Sequence, residues 1–118
     1  MTSRVIAVAV DARDATGLAQ FWADALGRDE PFTWDDAAGT SYVELPGEPP
    51  LLFQPVPEEK SGKNRLHLDL APPEGTGQRE EIARLVELGA RVLDEAEGQA
   101  WVVLADPEGN EFCVLPPR

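Results

Sequence analysis

The feature that most restricts the fold of this chain is an internal repeat. Phe53 and Phe112 sit in two short apolar strands 59 positions apart, Ala7 and His67 in two opening strands 60 apart, and Gly27 and Gly89 end two helical stretches 62 apart. Three elements recurring at nearly one period imply two copies of a β-α-β-β-β unit. Identity between the halves is low, so the repeat is one of pattern. At 118 residues the chain is the length of one domain. The sequence therefore predicts a single domain over 1–118, with module 1 over about 1–57, a linker over about 58–63 and module 2 over about 64–118. The linker falls in the Pro-, Gly- and charge-rich stretch Pro55 to Lys63.

Each element has a local signature. Val5 to Val10 is apolar on both faces and predicts a covered strand. Asp11 to Asp14 predicts a loop ending in an N-cap at Asp14, and Ala15 to Leu26 a helix with Leu18, Phe21, Trp22, Ala25 and Leu26 on one stripe. Gly27 stops it. Strands follow around Pro31 to Asp35, over Thr40 to Leu45 and over Leu51 to Val56. In module 2, Arg65 to Leu70 alternates cleanly, with Leu66, Leu68 and Leu70 on one face and Arg65, His67 and Asp69 on the other. A helix over Gln78 to Leu88 carries Ile82, Leu85, Val86 and Leu88 as its stripe and ends at Gly89; a short strand spans Arg91 to Asp94. The chain closes with Trp101 to Ala105, the turn Asp106-Pro107-Glu108-Gly109-Asn110, and Glu111 to Leu115. Proline presets φ in that turn and glycine supplies the positive φ.

Composition excludes several functions. A net charge of −12 with no Lys/Arg cluster opposes binding to nucleic acid or anionic lipid. Apolar residues make up 42% and are too evenly spread for a membrane span. No charged-then-apolar leader opens the sequence, which points to the cytoplasm. The one cysteine, Cys113, stands among apolar residues and reads as a buried, inert thiol. The acidity serves solubility and also suits a cationic ligand.

Polar groups in module 2 carry the candidate chemistry. His67 is the only histidine, and Glu111 places a carboxylate at the start of an apolar strand 44 positions later. A buried carboxylate needs a metal, a cation or a hydrogen-bond donor. Should the module curl, the two strands become neighbours, and His67 with Glu111 forms half of a divalent-metal site or a general base with its orienting partner. The plain alternative is a solvated histidine and a Glu111–Arg65 ion pair.

The motifs LAQFW…LG, NRLHLDL, ARLVELGARV and DPEGNEFCVL, in that order over nearly the whole chain, resemble the glyoxalase-like branch of the vicinal oxygen chelate superfamily. The resemblance implies an α+β fold of two βαβββ modules whose mixed sheets form a cup-shaped barrel around a central cavity, in a protein that commonly dimerises. Metal-dependent relatives place one ligand on the first and one on the last strand of each module. Carried over, these positions are His67 and Glu111 in module 2 and Ala7 and Leu52 in module 1, of which the last two bind no metal; two side chains elsewhere, such as Asp69, Glu44 or Gln54, could complete the set, although nothing in the spacing demands it.

Two functional readings follow. The first is a small-molecule-binding protein of the bleomycin-resistance type, holding an organic ligand in a cavity lined by Phe32, Trp34, Gln54, His67, Asp69, Trp101 and Glu111. The second is an enzyme, a metal-dependent lyase, isomerase or dioxygenase in which His67 and Glu111 hold one divalent ion or act as acid and base.

Overall fold

The computed structural model describes residues 1–118. The chain runs β1 (Val8–Ala12), α1 (Ala15–Leu26), β2 (Phe32–Asp35), β3 (Ser41–Leu45), β4 (Leu51–Pro55), β5 (Asp69–Leu70), α2 (Gln78–Leu88), β6 (Arg91–Asp94), β7 (Val102–Ala105) and β8 (Glu111–Val114). It divides into two compact units, Met1–Glu59 and Lys60–Arg118. Each is an α+β unit of one helix and one mixed four-stranded sheet, ordered β1-β4-β3-β2 in unit 1 and β5-β8-β7-β6 in unit 2. In both, the first strand runs parallel to the last and the other pairs are antiparallel. The βαβββ repeat is thus realised twice with one topology.

In unit 1 the helix begins where Asp14 accepts a hydrogen bond from Gly17 N–H at 3.0 Å, and it ends at Gly27 in the left-handed region, φ 64°. Gly17 is required by the cap itself: a Cβ there would stand 2.3 Å from Asp14 Oδ2. Leu18, Ala19, Phe21 and Trp22 of α1 are buried, as are Val43, Leu45, Leu51 and Phe53 of the sheet. Phe21 and Trp22 meet edge to face with centroids 5.2 Å apart, a favoured aromatic geometry. The turn before β4 is closed from the helix end, where Arg28 donates to Pro49 O at 2.7 Å and Glu48 O at 3.3 Å.

Unit 2 buries Ile82 and Leu85 of α2, with Val102, Leu104, Phe112 and Val114 of the sheet. Gln78 anchors the helix start by donating to Ala100 O and Val114 O, both at 2.9 Å. Glu81 is also buried, and Arg84 satisfies it with two 2.8 Å bonds, the geometry that makes a buried carboxylate tolerable. The predicted stripe is narrower than expected: Val86 and Leu88 are exposed and Glu81 takes a buried place.

Two strand starts differ from the sequence expectation by three residues or more. β1 begins at Val8 rather than Val5, and Val5 and Ile6 are exposed. The ladder opens with Val8 N–H donating to Pro50 O at 3.0 Å. Pro49 and Pro50 lie ahead of β4 and have no N–H to extend it backwards. β5 shrinks from Arg65–Leu70 to Asp69–Leu70, and Leu66 is 87% exposed. Here the N–H of Asn64 donates to the Glu111 side chain at 3.0 Å, so the approach to β5 is held by a carboxylate instead of a backbone ladder.

The β7–β8 turn is organised by Asp106, which is 2% exposed. Its Oδ1 accepts from Glu108 N–H at 2.9 Å and Asn110 N–H at 3.0 Å, and Asn110 Nδ2 donates to Oδ2 at 2.9 Å. Replacing Asp106 with Ala takes the acceptor from three half-buried donors. The expected cost is about 3 kcal/mol, at about 1 kcal/mol for each bond. Urea unfolding of the variant against wild type measures it.

Candidate functional site

Strand pairing sorts each sheet into two faces, because directly opposed residues share a side and neighbours along a strand alternate. In unit 1, Val43, Leu45, Leu51 and Phe53 take the buried face. The registers Phe32↔Glu44, Trp34↔Tyr42, Glu44↔Leu52 and Asp11↔Gln54 then place Phe32, Trp34, Tyr42, Glu44, Leu52, Gln54 and Asp11 together on the open face. Three sequence candidates, Phe32, Trp34 and Gln54, lie on that one surface. Tyr42 was not singled out by sequence, although its period-2 relation to Glu44 and its place opposite Trp34 bring it there.

The aromatic part is ordered by carboxylates. Trp34 Nε1 donates to Glu44 Oε1 at 3.0 Å, and the Trp34 and Tyr42 rings pack with centroids 4.7 Å apart and planes tilted by 36°. Tyr42 OH donates to Asp36 Oδ2 at 2.6 Å, while Asp36 Oδ1 accepts from the N–H groups of Ala38 and Thr40. Hydrogen bonds from the Tyr42 hydroxyl first, and from the Thr40 amide next, hold the Asp36 carboxyl below its ordinary range. The same bond pushes the Tyr42 phenol up.

In unit 2 the face opposite Phe112 and Val114 carries acid-base and sulfur groups, with Cys113 itself buried. Asp69 lies opposite Cys113 across the β5–β8 ladder. His67 is two residues earlier, and its Nδ1 stands 2.8 Å from Asp69 Oδ1. A carboxylate only accepts, so the ring proton sits on Nδ1. Desolvation, followed by the charge of Asp69, pushes the Cys113 thiol up. This fits the inert thiol expected from sequence, although its proximity to Asp69 and His67 was not foreseen.

Glu111 stands two residues before Cys113 on the same strand. Its Oε1 accepts from Asn64 N–H at 3.0 Å and lies 3.0 Å from Lys60 Nζ. The cation beside it is thus Lys60, where sequence offered Arg65. Burial pushes the Glu111 carboxyl up, but the Asn64 amide and the Lys60 ammonium outweigh it and leave the group below its usual range. Trp101, just ahead of β7, is exposed, and its carbonyl accepts from Gln99 Nε2 at 2.9 Å.

Leu52 lies opposite Ala9, and Ala7 precedes the strand. None of Ala7, Ala9 and Leu52 carries a side-chain donor atom. No helix is long and apolar enough to cross a membrane.

Comparison with known proteins agrees with the topology. Residues 7–115 match the model of a glyoxalase-like domain family. Among solved structures the chain is similar to the trypanothione-dependent glyoxalase I of Leishmania major (TM-score 0.71, 16% identity, covering 98% of this chain and 87% of that one). It is also similar to the fosfomycin resistance protein FosX of Mesorhizobium loti (0.72, 12%, 98% and 92%) and to FosX of Listeria monocytogenes (0.74, 12%, 100% and 94%). At these identities the likeness is one of fold. No curated protein matches the sequence.

The Asp36–Tyr42 bond makes a titration prediction. Tyr42→Phe removes the main donor, so the Asp36 carboxyl titrates at higher pH in the variant, as read by carboxyl-carbon NMR. Because the folded-state pKa is depressed, the stability linked to it is complete above the unfolded pKa and is lost as pH falls through the folded one. An Asp36 resonance that titrates identically in both proteins refutes the assignment.

Proposed function

The chain belongs to the glyoxalase-like domain family, and from that premise we propose that it binds a small organic molecule without needing the metal set of its enzymatic relatives. The observation that carries this reading is the open face of unit 1. Where the family resemblance calls for metal ligands, Ala7 and Leu52 offer none, and the surrounding face presents Phe32, Trp34 and Tyr42 with Glu44, Asp36 and Gln54. Aromatic rings edged by carboxylates suit a ligand with a flat apolar part and a cationic group, and the net charge of −12 favours its approach. Unit 2 by itself exposes polar and aromatic groups too, among them His67, Asp69 and Trp101. Glu111 is already engaged by Lys60 and Asn64, which supports a structural part for it. The family resemblance extends the reading to a homodimer, which light scattering measures.

The relatives give weight to a second reading. FosX of Listeria monocytogenes has been solved with Mn(II) and 1S,2S-dihydroxypropylphosphonic acid, and an enzyme of that kind here would be a metal-dependent lyase, isomerase or dioxygenase using His67 and Glu111.

Calorimetric titration with bleomycin and with planar aromatic cations, in excess EDTA, separates the two. Binding is expected to saturate with the chelator present, and Trp34→Ala to weaken it by about thirtyfold, the worth of a desolvated cation–π contact of about 2 kcal/mol. Turnover of fosfomycin that requires added divalent metal and disappears in both His67→Ala and Glu111→Ala would replace the binding reading with the enzymatic one.

A further inference from the structure

The face of unit 2 opposite Phe112 gathers three different donor types. Asp69 and Cys113 are direct partners across a parallel ladder, so their side chains leave the sheet on one side. His67 joins them through its 2.8 Å contact with Asp69. One ligand atom from each of His67, Asp69 and Cys113 lies within 4.8 Å of the other two. We propose that these three side chains form a binding site for a single zinc-like divalent cation, independent of the ligand face in unit 1.

The donor set decides the class of ion. Thiolate and imidazole favour borderline-soft ions such as Zn²⁺ or Co²⁺, and a set containing sulfur is a poor one for Mg²⁺ or Mn²⁺. A tetrahedral ion bonded at about 2.0–2.3 Å needs its donors about 3.3–3.7 Å apart. The trio reaches that by drawing in its widest separation by about one ångström while the ion enters between His67 and Asp69, a movement of side-chain torsions.

Charge balance agrees. Binding shifts the His67 ring proton from Nδ1 to Nε2 by exchange with water, which frees Nδ1 for the ion; it also breaks the Cys113 S–H bond, forms a sulfur–metal bond and releases that proton to water. Thiolate and the Asp69 carboxylate then offset the two positive charges, with His67 neutral. The half-exposed side chains of His67 and Asp69 give the ion its path, at 44% and 47% exposure, while Cys113 closes the site from within. Three protein donors leave the fourth position to water or to a small ligand. Glu111 takes no part, since Lys60 and Asn64 occupy its carboxylate.

Titration of the reduced, full-length chain with Co²⁺ tests the site. The expected result is a near-ultraviolet thiolate-to-cobalt charge-transfer absorption saturating at one ion per chain, displaced by Zn²⁺ and not by Mg²⁺. Cys113→Ser should abolish that absorption, and Asp69→Asn and His67→Ala should each weaken Co²⁺ binding at least about tenfold. Because Cys113 is buried, Asp69→Asn provides the folding-independent arm: a variant with wild-type circular dichroism and unchanged Co²⁺ affinity overturns the proposal. So does Co²⁺ binding without the thiolate absorption, or a greater loss in Glu111→Gln than in Asp69→Asn, which would put the ion on His67 and Glu111 instead.

Discussion

The parallel ladder between the first and last strand of each unit is the constraint on which the rest depends. It places residues more than forty positions apart in direct opposition, Val8 with Leu51 and Asp69 with Cys113. Parallel pairing needs a crossover, and the helix that supplies it covers one side of the sheet. The covered side takes the large apolar residues, and whatever alternates with them is delivered to the other. The polar and aromatic groups therefore follow from parity: once Phe53 and Phe112 are buried, Leu52 and Gln54, or Glu111 and Cys113, have no other side to occupy.

The two units use that forced face differently. Unit 1 fills it with rings and hydrogen-bonded carboxylates, Trp34 on Glu44 and Tyr42 on Asp36. Unit 2 places an imidazole, a carboxylate and a thiol there, and commits Glu111 to an ammonium and a backbone amide. A duplicated scaffold can diverge in this way because exchanges on the open side leave the packing under the helix undisturbed.

Elements governed by local chemistry were legible in the sequence. Both helices span the predicted residues, since Asp14, Gly27 and Gly89 act within one turn of the chain they terminate. The strand starts were less legible because they depend on distant partners. Val5 and Ile6 have ideal strand composition, but the prolines ahead of β4, forty-odd residues on, give them nothing to pair with. Arg65 to Leu68 alternates well, yet Asn64 is drawn to Glu111 and the ladder begins only where Leu68 O accepts from Cys113 N–H. The candidate groups divide along the same line. His67 and Asp69 are neighbours by simple alternation and could be paired from sequence. Lys60 looked like linker, and Cys113 looked like core packing, because their positions beside Glu111 and Asp69 are set by a register that no local pattern encodes.

The close fit of Gly17 against Asp14 has an evolutionary corollary. Glycine inside a helix ordinarily invites replacement by alanine, worth about 1 kcal/mol, but the added methyl would collide with the capping carboxylate, itself worth about 1 kcal/mol. Either residue changed alone gains little or loses, so the two positions should drift together or not at all. A family of such sequences would then show positions 14 and 17 as a covarying pair whose cause is room for a single oxygen atom.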